Sequence, residues 1–378
     1  MKNAGKCLLI VVNDPAFFLS HRLPIALAAL ENGFKVHVAT PYSVEVEVIK
    51  KHGLVHHVIS LSRSGSNPFH ELLSMWSIWR VIKDLNPDIL HLVTIKPILY
   101  GGVIARLARV PGVVIAVSGL GSVFYTKGIK ASALRFFAKG LYRLVLGHKN
   151  LIAIFQNPND RNELVKLGMF NGMRAVVIRG SGVSLEDYPS LPESSDIPVI
   201  VFAARLVRDK GIYEFVDAAR QLHKLGIRAK FQVVGASDTA NQGAVSKSEL
   251  ELWRQEGIVE LTGFRTDISE VFAAANIVVL PSYHEGLPKV LIEAAACGRA
   301  VITTDHPGCR YAIVPDVTGL MVPVRNSAAL ANAIKQLLDD DELRHGMGVA
   351  GRALAESEFS IDKVITEHLT LYKTLVKE

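Results

Sequence analysis

Two pairs of charged residues carry the chemistry this sequence suggests. Arg205 and Lys210 follow the apolar run VIVFAA, with Asp209 and Gly211 around the expected start of a helix. Glu285 and Glu293 lie in the stretch HEGLPKVLIEAAACG. An arginine fork and a lysine point charge at the carboxyl end of a strand suit a diphosphate, each charge-assisted contact contributing about 1.5–3 kcal/mol. Two exposed basic residues in a loop are the plain alternative. Glu293 sits among Leu291, Ile292, Ala294, Ala295 and Ala296, so its helix is apolar nearly all round and expected to be buried. A buried carboxylate costs several kcal/mol unless donors meet it. Those donors are either the hydroxyls of a bound ligand or a basic core residue. Glu285, in the HEGL loop, either faces that ligand or is solvated. Pro288 is expected as the first helical residue, where a missing N–H costs nothing. The amides of Lys289 and Val290 would then project from a positive helix end suited to an anion or a sugar oxygen. Gly286 lets the backbone approach a ligand closely.

Several chemistries find no support. Neither candidate nucleotide unit has G-x-G-x-x-G after its first strand, and there is no Walker P-loop, which disfavours dinucleotide oxidoreduction and P-loop hydrolysis. The only D-x-D runs from Asp339 to Asp341 in QLLDDDELRH and reads as a solvated helix junction, so no metal is expected. Cys7, Cys297 and Cys309 have no metal-ligand spacing and suggest a reducing compartment. CLLIVV is too short for a signal peptide, and no charge-free apolar run approaches the roughly 20 residues of a spanning helix. The expectation is a cytoplasmic protein. Residues 1–180 hold 22 Lys+Arg against 9 Asp+Glu, a net of +13, and residues 89–159 contain no acid. That imbalance expects an anionic partner: nucleic acid, an anionic membrane or a phosphorylated substrate. Base-stacking aromatics interleaved with the basic residues are scarce, which argues against nucleic acid.

The elements that must position these residues are legible as alternation. KCLLIVV, VHVATP, VHHVISL, DILHLV, GVVIAVS and NLIAIFQ are short apolar runs separated by helical stretches such as PFHELLSMWSIWRVIKDLN. VIVFAA, KFQVVGAS, IVELTGF, NIVVLPS and AVITTD repeat the pattern. Such alternation predicts parallel sheets covered on both faces. The fold class is therefore α/β, with two doubly wound units: residues 1–180, a Ser, Pro and acid-rich linker over 181–197, a second unit over 198–357, and a last helix over 358–378 returning to the first. A ligand is expected at the carboxyl ends of the strands, in the cleft between the units.

Arg205 and Lys210, then Glu285-Gly-Leu-Pro with Glu293 after it, then AAACGRAVITTDHPG, resemble the signature of retaining GT-B glycosyltransferases of the group 1 family, which use nucleotide sugars. The resemblance covers essentially the whole chain. Within the family the sequence is most similar to bacterial enzymes that extend lipid-linked oligosaccharides for O-antigen or protein glycosylation, with counterparts to SGLGSVF (118–124) and RGSGVSLEDYP as well. It implies the GT-B architecture, two Rossmann-like domains facing a cleft, with the first taking the acceptor and the second the nucleotide sugar. It also implies that Arg205 and Lys210 hold the donor diphosphate. Glu285 and the amides of Gly286 and Leu287 would hold hydroxyls of the transferred sugar, and Glu293 those of the ribose. Backbone around Gly263, Phe264 and Arg265 would receive the base. The mechanism implied is metal-independent front-side displacement, in which a diphosphate oxygen takes the acceptor proton and Arg205 and Lys210 neutralise the departing charge. No cofactor beyond the donor is implied; UDP is the expected carrier and an N-acetylhexosamine the expected sugar. Some relatives carry histidine or an acid where this chain has Ser118, so the resemblance supplies no strong protein base there. Tyr311 stands where several relatives have glutamate, and nothing in the sequence explains the change.

On the acceptor side, His21 and Arg22 in FFLSHRLP and Lys96 in VTIKP follow strands and are candidates to touch a polyprenyl-diphosphate-linked acceptor, with Ser118 beside the reacting sugar. In KGIKASALRFFAKGLYRLVLGHK, Arg135, Lys139 and Arg143 recur every four residues opposite Leu134, Phe137, Leu141 and Val145. Such a helix either packs with a solvated basic face or lies at a membrane surface. Near an anionic leaflet each basic residue contributes about 1 kcal/mol, enough for peripheral attachment to the inner face of the cytoplasmic membrane. Two other functions fit the same architecture: a nucleotide-sugar epimerase, and a non-catalytic sugar-binding module.

Overall fold

The computed structural model describes residues 5–62, 67–119, 139–168, 174–193, 196–239, 241 and 243–376. The chain divides into two compact units, residues 1–181 with 362–378, and residues 182–361.

In the first unit the apolar runs become seven parallel strands: β1 (Cys7–Val12), β2 (Lys35–Thr40), β3 (Val55–Val58), β4 (Ile89–Val93), β5 (Gly112–Val117), β6 (Leu151–Phe155) and β7 (Ala175–Val177), in the order β3-β2-β1-β4-β5-β6-β7. Central strands β1 and β5 read as unbroken apolar runs, and β4 as one broken only by the buried His91, because both faces are covered. Their side chains alternate between two layers. Leu9, Val11, Leu90 and Leu92 face α4 (Pro68–Leu85) and α5 (Ile95–Ala108). Leu8, Ile10, Ile89 and Val93 face α1 (Pro15–His21), α2 (Leu23–Glu31) and the last helix, α15 (Ile361–Leu375). The helical segment after β1 breaks at Arg22, where Pro24 in the first turn of α2 cannot continue α1. The remaining helices of this unit are α3 (Glu45–Lys51), α6 (139–146) and α7 (Pro158–Lys166).

The second unit repeats the design with β8 (Val199–Ala203), β9 (Lys230–Val234), β10 (Glu260–Gly263), β11 (Ile277–Leu280), β12 (Ala300–Thr304) and β13 (Gly319–Val322), ordered β10-β9-β8-β11-β12-β13. Its helices are α8 (Ile212–Lys224), α9 (Lys247–Glu256), α10 (Ile268–Ala273), α11 (Lys289–Ala296), α12 (Pro307–Arg310), α13 (Ser327–Asp339) and α14 (Asp341–Leu354).

Within the segment 181–197, expected as a linker, described residues of the second unit join its packing. Val183 is buried, Leu185 and Tyr188 lie on the second core, and the Glu193 carboxylate accepts from Arg344 Nε at 2.9 Å and Asn276 Nδ2 at 2.8 Å. The D-x-D belongs to a helix junction: Asp339 pairs with Lys335, Asp340 caps α14 by accepting from Leu343 N at 2.9 Å, and Asp341 pairs with Arg344 at 2.6 Å. No helix among the described residues is long and apolar enough to cross a membrane.

Candidate active site

The carboxyl ends of the second sheet gather most of the singled-out residues. The exit of β8 carries Arg205, a tight turn over Arg208–Lys210, and Gly211 at φ +76°. A Cβ on Gly211 would collide with the Pro281 carbonyl, so only glycine lets the β8 exit close on the β11 exit. Two bonds join these exits: Tyr283 N to Asp209 O at 2.8 Å and Ser282 Oγ to Asp209 O at 2.9 Å. The same Ser282 hydroxyl lies 2.8 Å from Glu285 Oε1, which also pairs with Lys210 Nζ. Lys210 and Glu285, 75 positions apart in sequence, are thus direct neighbours. The β11 exit is held from the other side by α12, where a Cβ on Gly308 would strike the Glu285 carbonyl, and by Thr304, whose Oγ1 donates to Ser282 O.

Arg205, half exposed, places Nη1 2.5 Å from Asp238 Oδ2 at the β9 exit. At the β10 exit, Gly263 adopts φ +76° and its carbonyl accepts from Gly235 N at 2.8 Å. Phe264 beside it is 76% exposed, a large aromatic face left to solvent. Arg265 forks onto Asp267, with Nε to Oδ1 at 2.6 Å.

Glu293 is buried, as expected, but its expected donors are not needed to satisfy it. Tyr188 OH donates to Oε1 at 2.7 Å, and Lys289 Nζ, one turn earlier on α11, pairs with the same oxygen at 2.8 Å. Burial, then the neighbouring carboxylate, raises the Tyr188 phenol above its ordinary value, so it stays a donor. Oε2 makes no hydrogen bond among the described residues. Pro288 is the N-cap rather than the first helical residue, with extended ψ of 122°. Helix α11 therefore begins at Lys289, and the amides of Lys289 and Val290 carry no hydrogen bond among the described residues. Leu287, ahead of the cap, is buried. Burial drives Cys309 up to about 11 and Cys297 up to about 12, which keeps both thiols protonated and unfit as nucleophiles.

The first unit treats its candidates differently. His21 ends α1, stacked on Phe17 at 4.0 Å with Nδ1 2.7 Å from Ser20 Oγ. Arg22 does not open outward: it is 2% exposed, and Nη1 donates to His21 O at 2.9 Å. The break between α1 and α2 turns its side chain inward, which removes it as a freely presented acceptor contact. Lys96, on the first turn of α5, pairs with Glu71 at 2.7 Å, and Tyr100 OH binds the other oxygen of that carboxylate at 2.8 Å. Ser118 follows β5 and is partly exposed; residues 120–124 of SGLGSVF lie outside the described residues. So do Arg135 of the expected basic stripe and Leu134 and Phe137 of the apolar face opposite it. Lys139 and Arg143 stand on α6, whose Val145 is buried in the core and whose Arg143 Nε donates to Gly168 O at 3.2 Å.

Sequence reasoning passed over Asp238, Ser282, Tyr188 and Gly308, which hold the singled-out residues in place. Asp238 and Ser282 each follow a strand within four residues, the one signal that marked them. Tyr188 lay in a segment whose composition read as linker.

Three comparisons bear on this geometry. The model of "Glycosyl transferases group 1" matches residues 185–354, and that of "Glycosyl transferase 4-like" matches 7–157. N,N'-diacetylbacillosaminyl-diphospho-undecaprenol alpha-1,3-N-acetylgalactosaminyltransferase of Campylobacter jejuni is 30% identical over 95% of this chain and 98% of its own. UDP-Gal:alpha-D-GlcNAc-diphosphoundecaprenol alpha-1,3-galactosyltransferase of Escherichia coli is 24% identical over 72% of each. In structure, sucrose-phosphate synthase from Thermosynechococcus elongatus superimposes with a TM-score of 0.78 over 98% of this chain and 99% of its own, at 21% identity. Two Rossmann-like units with these neighbours define the GT-B architecture. The chain belongs to the group 1 glycosyltransferases.

Proposed function

We propose that this glycosyltransferase moves a sugar, an N-acetylhexosamine, from a UDP donor to a glycan carried on a polyprenyl diphosphate, with retention at the anomeric carbon and without a metal ion. The observation that carries the reading is the pairing of Lys210 with Glu285 at the joined strand exits of the second sheet, with Arg205 on the same β8 exit. The names of the two relatives, both acting on diphospho-undecaprenol-linked sugars, support the acceptor class, and UDP-Gal in one of them supports the nucleotide.

In this reading the donor diphosphate draws Lys210 from Glu285 and Arg205 from Asp238. The freed Glu285, with the amides of Gly286 and Leu287, accepts and donates to hydroxyls of the sugar, and the first-turn amides of Lys289 and Val290 add to the positive end of α11. Glu293 keeps Tyr188 and Lys289 on Oε1 and offers Oε2 to the ribose. Backbone at Gly263, Phe264 and Arg265 receives the base. The acceptor oxygen bonds to the anomeric carbon on the face from which the diphosphate leaves, and its proton passes to a diphosphate oxygen. His21, Lys96 and Ser118 stand on the acceptor-binding unit. A lipid-borne acceptor requires attachment to an anionic bilayer, which the basic first half favours.

The test is incubation of the protein with UDP-N-acetylhexosamines and a lipid-linked glycan. One added sugar with the donor's anomeric configuration by NMR is expected, and Lys210→Ala should lower kcat about 10²–10³-fold, the loss typical of one group stabilising developing charge. Isomerised free donor would mean an epimerase; donor binding without turnover would mean a binding module. Either outcome, or an inverted product, overturns the proposal.

A further inference from the structure

Helix α4 exposes an apolar face that no described residue of the first unit covers. Phe69 is 71% exposed, Leu72 65%, Leu73 42% and Trp76 59%. They fall at i, i+3, i+4 and i+7, a single stripe of the helix. The opposite edge is fixed: Ser74, Ile78 and Ile82 are buried, so the stripe faces outward because the helix is correctly docked, not because it is loose. One and two turns further along the same stripe stand Arg80, whose guanidinium lies 5.7 Å from the Trp76 ring centre, and Lys83, whose ammonium lies 5.2 Å from the Trp79 ring centre. The acid nearest the apolar end, Glu71, is turned to the inner flank and neutralised by Lys96 and Tyr100.

The geometry points to this face of α4 as the surface on which the protein lies on an anionic lipid bilayer. Large aliphatic and aromatic side chains enter the region between headgroups and acyl chains, tryptophan sits at that depth by preference, and the cations meet the phosphates. Asp84, exposed, stands beside these cations, but residues 1–180 as a whole carry a net charge of +13, the sign an anionic surface attracts. The inference rests on the reading of a lipid-borne acceptor for its purpose, although binding to lipid is measured without any turnover.

Sedimentation with vesicles of phosphatidylglycerol and phosphatidylethanolamine tests it, using the full chain. Wild type should partition to these vesicles and not to purely zwitterionic ones, with a blue shift in tryptophan fluorescence that Trp76→Phe diminishes. Leu72→Gln with Trp76→Gln should weaken partitioning at least about tenfold, from the loss of two buried apolar side chains. Arg80→Gln with Lys83→Gln should weaken it by about tenfold at low salt and little at high salt. The first double variant should keep wild-type turnover on a short-chain, water-soluble acceptor while losing it on a vesicle-borne one. If no sugar is transferred to either acceptor but vesicle binding follows α4, the proposed function fails and the docking surface stands. Vesicle binding that is absent, or unchanged by both double variants, overturns the docking surface. So does a concentration-dependent dimer of wild type that Leu72→Gln with Trp76→Gln dissolves, which would assign the stripe to a second copy of the chain.

Discussion

The two units share one strand order, yet each solves the burial of an arginine in its own way. In the second unit Arg344, buried, meets the buried Glu193 at 2.9 Å, the exposed Asp341 at 2.6 Å and the Leu337 carbonyl at 2.7 Å. In the first unit Arg22, equally buried, faces His91, His368 and Tyr372, makes one hydrogen bond, to its neighbour's carbonyl, and leaves Nε without a partner among the described residues. Burial alone lowers its pKa to about 10. One charge is compensated and the other is not, and topology dictates neither: the order β3-β2-β1-β4 equals β10-β9-β8-β11. A shared order of six strands thus places loops in equivalent positions, while the side chains decide whether a buried charge stabilises or burdens its unit.

The same substitution in both units gives the largest test of that contrast. Arg344→Met removes the partner of a buried carboxylate. Stranding one member of such a pair costs about 3–5 kcal/mol, and the low end applies because Asn276 and His345 still reach Glu193. Arg22→Met strands no acid and fills the same space with apolar volume, so stability should hold or rise. Urea unfolding of both variants measures the two signs. A loss with Arg22→Met comparable to that with Arg344→Met would erase the distinction between the units.

Acid sharpens the contrast next. His91 and His368 are held below their ordinary value first by burial, then by positive neighbours, Arg22 among them; His368 falls to about 3. His368 Nδ1 lies 2.7 Å from the Val364 carbonyl and so carries the proton, while His91 Nδ1 lies 2.7 Å from Tyr372 OH. The unfolded chain takes up these protons near pH 6.5 and the folded chain far lower. Stability is therefore full above about pH 6.5 and falls as pH drops from there, through His368 toward about 3. Asp160, raised to about 6 by burial, acts in the opposite direction, gaining stability as pH falls through that value. The comparison of wild type with His368→Leu isolates the histidine: thermal unfolding between pH 7 and pH 5 should show a shallower decline in the variant. Parallel curves would mean that His368 is not held neutral by its surroundings.

How much of this was legible follows the range of the interactions. The strands before each site residue were visible because a parallel sheet buried on both faces leaves continuous apolar runs, and the placement of Arg205, Lys210 and Glu285 at strand exits followed from those runs. Strands β7 and β13 were not: AVV and GLMV stand in shorter apolar runs than VHHVISL and IVELTGF, which hold the similarly short edge strands β3 and β10. Residues 181–197 read as linker because serine, proline and acids dominate them, yet Leu185 and Tyr188 pack on the second core. Pro288 missed its expected place by one position, the ordinary uncertainty of a helix boundary. The inward turn of Arg22 depends on α15 bringing His368 and Tyr372 back across the whole chain, and no local spacing encodes such a return.

The smallest effect concerns Glu293, where the contrast between compensated and uncompensated charge enters the site itself. With Tyr188 and Lys289 on Oε1, the carboxylate is already satisfied, as Glu193 is, and a purely structural role would make its replacement a matter of stability. A role toward the nucleotide uses the other oxygen. Glu293→Gln keeps an acceptor for Tyr188 and the side-chain volume but weakens whatever its charge holds. On the proposed reading UDP affinity, measured by calorimetry, falls about tenfold, the loss of one charge-assisted hydrogen bond, with little change in melting temperature of the free protein. The converse, a lowered melting temperature with unchanged UDP affinity, would place Glu293 with Arg344 among the groups that hold the second unit together and leave the ribose to other side chains.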